Sequence, residues 1–223
     1  MSVKVKEQLV RLGRHIDERN FARLRSALGY MEIGALIEQE LGAPALPMVP
    51  DRFGVFREAV RRVSGAAPVY LEFGVAEGTT MRWWAENLRQ PGARLIGFDS
   101  FEGLPERWRP GFDAGRFRSS PPEIDDERVE YVTGWFDETL PSFTLPPHDQ
   151  LIVNVDSDLY SSAKTVLSWA VPHLTTGSLL YFDELADRDH ELLALNELLR
   201  DCELPLRPLV AGGGGAHLLL EVC

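Results

Sequence analysis

Four groups of residues in this chain are of types and spacings that could act on a small molecule. The first is Glu72-Phe73-Gly74-Val75-Ala76-Glu77-Gly78-Thr79. Its two glycines let the chain turn tightly and let a ligand approach the backbone, and a helix after the turn would add its N-terminal amides. A nicotinamide site would need Gly-x-Gly-x-x-Gly to seat a pyrophosphate. That triplet is absent, and a carboxylate, Glu72, stands beside the turn. A carboxylate repels a diphosphate and pairs with an ammonium, so the ligand expected here has a positive amino-acid end. The second group is Phe98-Asp99-Ser100-Phe101-Glu102-Gly103-Leu104-Pro105. Asp99 can take a pair of ribose hydroxyls through its two oxygens. Together, in this order, the two groups point to a nucleoside.

The third and fourth groups are Asn154-Val155-Asp156-Ser157-Asp158-Leu159-Tyr160 and Phe182-Asp183-Glu184. Asp156, Asp183 and Glu184 have no Lys or Arg within three residues of them in sequence. Three such carboxylates could hold a divalent cation on oxygen ligands, Mg²⁺ being the expected one, and could also provide a general base. Each acid has a plainer reading as a helix cap or first-turn residue, and Asp158, just before Tyr160, reads as one. His190 could reach the same region or lie on the surface. His15, His148, His173 and His217 read as surface or structural, and Trp83-Trp84 as core. Glu123, Asp125, Asp126, Glu127 and Glu130 read as a solvated turn. No serine sits on a Gly-x-Ser-x-Gly elbow.

These groups need a scaffold that brings them to one place. Short apolar runs at Val69 to Phe73, Arg94 to Phe98, Val129 to Thr133, Leu151 to Val155 and Ser178 to Phe182 read as strands. Between them, Phe53 to Val63, Thr79 to Leu88, Ser161 to His173 and Asp189 to Leu199 read as helices. Such alternation predicts an α/β, Rossmann-like parallel sheet covered on both faces. Pro205 to Ala211 and Ala216 to Val222 read as a terminal antiparallel hairpin with a flexible glycine tip. All four groups then fall at strand ends, where open α/β sheets bind ligands. Residues 1–45 read as helical and are closed off by the proline-rich stretch to Pro50. The expected division is a helical cap or lid over residues 1–50 and a binding domain over residues 51–223. Residues 1–30 carry seven basic side chains against three acidic ones. That excess suits a solvated face, a cap on an acidic body, or a contact between copies of the chain.

Composition narrows the classes further. The 223 residues hold 34 acidic and 23 basic side chains, a net charge of −11, which argues against a nucleic-acid partner. With 44% hydrophobic residues the chain can fill a globular core. No apolar run approaches the ~20 residues of a membrane span. The N-terminus reads as helix rather than a secretory segment. Cys202 and Cys223 make neither a disulfide framework nor a metal spacing, and the expected location is the cytoplasm.

The motifs also resemble a family. Glu72-Phe73-Gly74-Val75, Gly97 to Pro105, Gly134-Trp135-Phe136 with Thr139-Leu140-Pro141, Asp156 to Ser162, and Phe182-Asp183-Glu184 are similar to the macrocin-type O-methyltransferases. These are class I S-adenosylmethionine-dependent enzymes that methylate sugar hydroxyls of macrolide and aminocoumarin antibiotics. The similarity runs from about residue 68 to residue 200. It implies a seven-stranded methyltransferase sheet whose last two strands form the hairpin. It further implies that Glu72 pairs with the methionine amino group, Asp99 holds the ribose, and Trp135 lies near the adenine. Gly74, Glu77, Gly78, Thr79, Ser100 and Phe101 would complete the cofactor cradle. Asp156 matches the catalytic carboxylate, and Asp183-Glu184 match an Asp-Asp pair that shares Mg²⁺ with it. Glu184 departs from the pattern by one methylene, and Ala76 stands where many class I enzymes have glycine. The activity implied is O-methylation of a sugar or other small natural product. A catechol-like or amine methyltransferase and a non-catalytic nucleoside-binding regulator are the alternatives.

Overall fold

The computed structural model describes residues 1–223 and contains one eight-stranded sheet. The strands are β1 (Met48–Val49), β2 (Pro68–Phe73), β3 (Arg94–Asp99), β4 (Val129–Thr133), β5 (Gln150–Val155), β6 (Leu179–Phe182), β7 (Leu206–Gly212) and β8 (His217–Val222). Their order across the sheet is β1-β7-β8-β6-β5-β2-β3-β4. Strands β2 to β6 are parallel, while β8 runs antiparallel to both β6 and β7, forming the expected hairpin. The seven anticipated strands are all present. β1 is an addition: Met48-Val49, within the proline-rich stretch, pairs in parallel with Ala211 and Gly212 of β7. Pro47 and Pro50 hold this segment extended, and an edge is where a sheet tolerates proline.

Every residue of β2 and β5 is buried, as a parallel strand covered on both faces requires. The two-residue alternation of β2 sends Leu71 and Phe73 to one core layer and Tyr70 to the other. The first layer is covered by α6 (Tyr160–Ala170) and α7 (Glu191–Asp201), and the second by α3 (Arg52–Arg62) and α4 (Thr79–Asn87). Trp84 on α4 is fully buried and stacks on Tyr70 at 4.4 Å between ring centroids, so this tryptophan is core, as read.

The chain opens with α1 (Val3–Gly13) and α2 (Glu18–Ala35), which runs into a π-helical turn at Leu36–Glu40. α2 is seated by Ile33 and Leu36, both buried, and by Gly29, where a Cβ would stand 2.2 Å from the Ala186 carbonyl oxygen. Ion pairs Arg25–Asp189 and Glu32–Arg188 fasten it to the segment after β6. The glycine tip of the hairpin is not free: Gly215 is buried, and its position abuts Ile33 of α2. α1 buries no residue.

Successive strands leave β2 in one direction through β3 and β4, and β5 returns to its other side. The switch between β2 and β5 opens a crevice at the strand ends, where such sheets take ligands. The connection over residues 100–128 folds across this crevice, anchored by Leu104 and Trp108 against Leu159. No helix is long and apolar enough to cross a membrane.

Candidate active site

A cleft of about 1040 Å³ lies at the switch point, enough for a nucleoside and a small second molecule. Gly74, Glu77, Thr79, Asp99, Ser100, Trp135, Asp156, Asp183 and Glu184 all line it, so the four groups read from the sequence meet in one place. Glu72, Gly78 and Phe101, expected in the cradle, do not line the cleft and lie behind it. Glu72 is fully buried on β2, where its Oε2 accepts the Tyr70 hydroxyl at 2.6 Å. Its Oε1 is buried with no partner. Burial pushes the Glu72 carboxyl up to about 8, against the Tyr70 hydrogen bond that lowers it. The Gly78 position faces Pro122, with room for no Cβ, and Phe101 turns its ring to Tyr131.

The turn after β2 is held by Asp99. Asp99 Oδ2 accepts the backbone N–H groups of Val75 and Ala76 at 2.9 and 2.8 Å, and Oδ1 accepts that of Phe101 at 2.7 Å. Three amides fix the carboxylate at the end of β3; Oδ2 is filled by two of them, and Oδ1, which accepts only one, keeps acceptor capacity. Gly74 has φ 103° and Gly78 φ 75°, and Ala76 between them has φ 47°, a left-handed conformation that costs a non-glycine residue energy. The Gly74 position is closed by the protein itself, since a Cβ there would stand 1.8 Å from the Asp156 carbonyl oxygen.

On the other side of the crevice the acids meet a cation that their local sequence does not reveal. Arg52, at the start of α3, donates from Nη2 to Asp183 Oδ2 at 2.8 Å and from Nη1 to Asp156 Oδ2 at 3.4 Å. Asp183 Oδ1 also accepts the Tyr181 hydroxyl at 2.5 Å, and His217 Nδ1 lies 3.3 Å from it. Burial favours a proton on Asp183, yet His217 and Arg52 together hold it below the usual carboxylate range. Asp156 goes the other way: burial and then Asp183 and Asp158 raise it well above that range, with Arg52 opposing. Asp158 is pushed up to about 7 by burial and Asp183, against Arg109.

The expected convergence of Asp156, Asp183 and Glu184 on one ion is not what the chain builds. No three Asp, Glu, His or Cys side chains are placed to hold a metal ion together. The guanidinium of Arg52 takes the place between Asp156 and Asp183, Tyr181 and Arg52 each occupy one oxygen of the Asp183 carboxylate, and His217 Nδ1 sits beside it on the Asp183 backbone carbonyl at 2.6 Å. As arranged, these residues do not fit a divalent cation. A search for cations near the acids in sequence misses Arg52, because α3 reaches the strand ends from before β2.

Two more readings change. Asp158 is not the cap of α6, whose N-cap position is Leu159; it has φ 60° and lines the cleft. His190 is half-buried, and its Nδ1 accepts the Tyr160 N–H at 3.2 Å. Glu191, which no motif marks, is fully buried and accepts three backbone N–H groups from the two acidic loops. Only its place on the polar side of an amphipathic helix could have drawn notice, and that is ordinarily a surface signal.

A family described as "Methyltransferase domain" matches residues 71–185. Demethyldecarbamoylnovobiocin O-methyltransferase from Streptomyces niveus is 27% identical over 39% of this chain and 39% of its own length. A tetracenomycin rhamnosyl 4'-O-methyltransferase from Streptomyces olivaceus is 33% identical over 27% of this chain. These matches span 39% and 23% of the relatives' lengths. The crystal structure of CalS11, described as a calicheamicin methyltransferase, has a TM-score of 0.58 at 24% identity. That alignment covers 99% of this chain and 86% of CalS11. At such identity the likeness is one of fold, and it extends over the N-terminal helices as well as the sheet. The family match takes in over half of the chain, from the glycine turn through the second acidic loop, and so the chain belongs to this methyltransferase family.

Proposed function

We propose that the protein transfers the methyl group of S-adenosylmethionine to a hydroxyl of a sugar or other small natural product. The observation that carries this reading is the single crevice shared by the Asp99-tied turn and by Asp156, whose Oδ1 is not engaged by Arg52. Bound S-adenosylmethionine supplies an electrophilic methyl carbon on a sulfonium. Asp99 and Ser100 hold the ribose, Trp135 lies along the adenine, and Glu77 and Thr79 line the amino-acid end. Glu72 supports the ammonium from beneath the turn with its unpartnered Oε1; Gly78 and Phe101 shape the turn from behind. In its ionised form Asp156 orients the acceptor hydroxyl and takes its proton, while His217 and Arg52 keep Asp183 ionised beside it. Holding the hydroxyl in line with the methyl carbon would lower the barrier by roughly 7–11 kcal/mol. The sugar class rests on the names of the similar proteins from Streptomyces. The exposed apolar row of α1 and α2, including Val3, Leu9, Leu12 and Met31, supports contact with a second copy. Two free thiols suit the cytoplasm.

Calorimetry with S-adenosylhomocysteine and with NAD tests the cofactor, and labelled methyl transfer to a panel of deoxysugar glycosides tests the acceptor. Binding of NAD alone would sink the reading. Asp156→Asn should keep S-adenosylhomocysteine affinity and lose at least about 10²-fold in turnover, the scale of a missing general base. An active Asp156→Asn enzyme removes Asp156 from the mechanism. Chelation followed by Mg²⁺ add-back assigns the positive charge: unchanged turnover assigns it to Arg52, and recovery on add-back to an ion that displaces the guanidinium.

A further inference from the structure

We infer that Glu191 is a positioning residue that sets the two acidic loops of the active site relative to each other. The inference rests on the reading of Asp156 and its neighbours as the reacting side of the cleft. Glu191 is the first residue of α7 and is fully buried. Its Oε1 accepts the N–H groups of Ser157 and Asp158, each at 3.0 Å, and its Oε2 accepts the N–H of Glu184 at 3.0 Å. No Lys or Arg pairs with it. A buried carboxylate without a cation is costly, and what it obtains here is three amides from two different strand ends.

Those amides belong to the residues that matter. Ser157 and Asp158 follow Asp156 at the end of β5, and Glu184 follows Asp183 at the end of β6. Asp158 is left-handed, with φ 60°, a conformation that persists only where surrounding contacts impose it. The bond from its N–H to Glu191 is such a contact, and it keeps the Asp158 side chain on the cleft. One side chain on α7 thus fixes the spacing between the base-bearing loop and the loop that carries its charged partner, without touching the acceptor.

The geometry predicts different failures for different substitutions. Glu191→Gln has the same shape but only one acceptor oxygen. Oriented to keep the two bonds to Ser157 and Asp158, it turns its NH₂ against the Glu184 N–H. Glu191→Ala frees all three amides. Amide hydrogen exchange followed by NMR on the full chain should therefore show at least tenfold faster exchange at Glu184 alone in Glu191→Gln. In Glu191→Ala the same should hold at Ser157, Asp158 and Glu184, with the interior of β2 and β5 unchanged. Affinity for S-adenosylhomocysteine should stay within threefold of wild type, because no residue of the turn or of Asp99 touches Glu191. On a glycoside shown to be an acceptor, kcat should fall at least tenfold while the KM for S-adenosylmethionine holds. Exchange within twofold of wild type at all three amides in Glu191→Gln overturns the staple, as does unchanged kcat in Glu191→Gln. If wild type fails to bind S-adenosylhomocysteine, the methyltransferase reading falls, while the exchange pattern still decides the role of Glu191.

Discussion

Asp99 holds the turn after β2 and, in the proposed function, also the ribose, so one carboxylate would carry two tasks. Its three amide bonds hold the turn that carries Gly74 to Gly78, and its remaining acceptor capacity is on Oδ1. Asp99→Ala should weaken S-adenosylhomocysteine binding by ~1.5–3 kcal/mol, the worth of a hydrogen bond to a charged group, and lower the urea midpoint as well. Calorimetry and denaturation on the same variant separate the two effects, and unchanged binding would show that Asp99 only builds the turn. Gly74 answers to a different constraint. Its sequence context suggests space for a ligand, but the atom against it is the Asp156 carbonyl oxygen. Gly74→Ala should therefore cost about 3 kcal/mol or more in stability, the sum of backbone strain and overlap, with or without ligand. Residues of this kind were readable because strand ends and turn glycines are local signals. Arg52, Asp158 and Glu191 were not: each takes its role from a neighbour far along the chain or from a backbone angle that composition does not encode.

At the scale of elements, the strands were readable from their apolar runs because a parallel strand buried on both faces cannot hide its composition. β1 escaped because two residues between prolines give no run, and pairing supplied by β7 made it a strand. The hairpin tip departs from its expected flexibility for a similar reason: four glycines look flexible in isolation, and only the packing of Ile33 onto the buried Gly215 ties the tip to α2. The two N-terminal helices therefore differ in kind. α1 buries nothing, whereas α2 with its π-helical turn buries Ile33 and Leu36 and closes over Ala186. Removing residues 1–14 should leave the urea midpoint of the monomer unchanged. Removing residues 1–45 should cost several kcal/mol, since Ile33 and Leu36 alone contribute roughly 1.5–3 kcal/mol each on burial. Light scattering on the shorter deletion reads the other consequence: a dimer that becomes a monomer places the partner on α1. Equal losses of stability in the two deletions would contradict this division.

For the molecule as a whole, the buried acids set the sense in which stability responds to pH. Glu72 is pushed up to about 8 and Asp158 to about 7, in each case by burial first, whereas in the unfolded chain they return to the ordinary carboxylate range. Between those limits the native state binds more protons than the unfolded state, so stability falls as pH rises. The contribution of these groups is full below pH ~4.5 and is lost progressively as pH climbs through 7 and 8. Asp183, Asp126 and Glu197 are shifted the opposite way and oppose this only in acid. The net charge of −11 pushes in the same direction as the buried acids, because surface self-repulsion also grows with pH. Salt separates the two sources, since it screens exposed charges and leaves buried ones nearly untouched. The cofactor-free protein should therefore melt at a higher temperature at pH 5.5 than at pH 8.5, and most of that difference should survive added salt. Glu72→Gln, which cannot ionise, should flatten the slope while leaving the value at pH 5.5 close to wild type. A melting temperature that rises over this interval would mean that Glu72 is ionised in the native state. The unpartnered Oε1 of Glu72 would then have to be satisfied by a bound cation rather than by a proton.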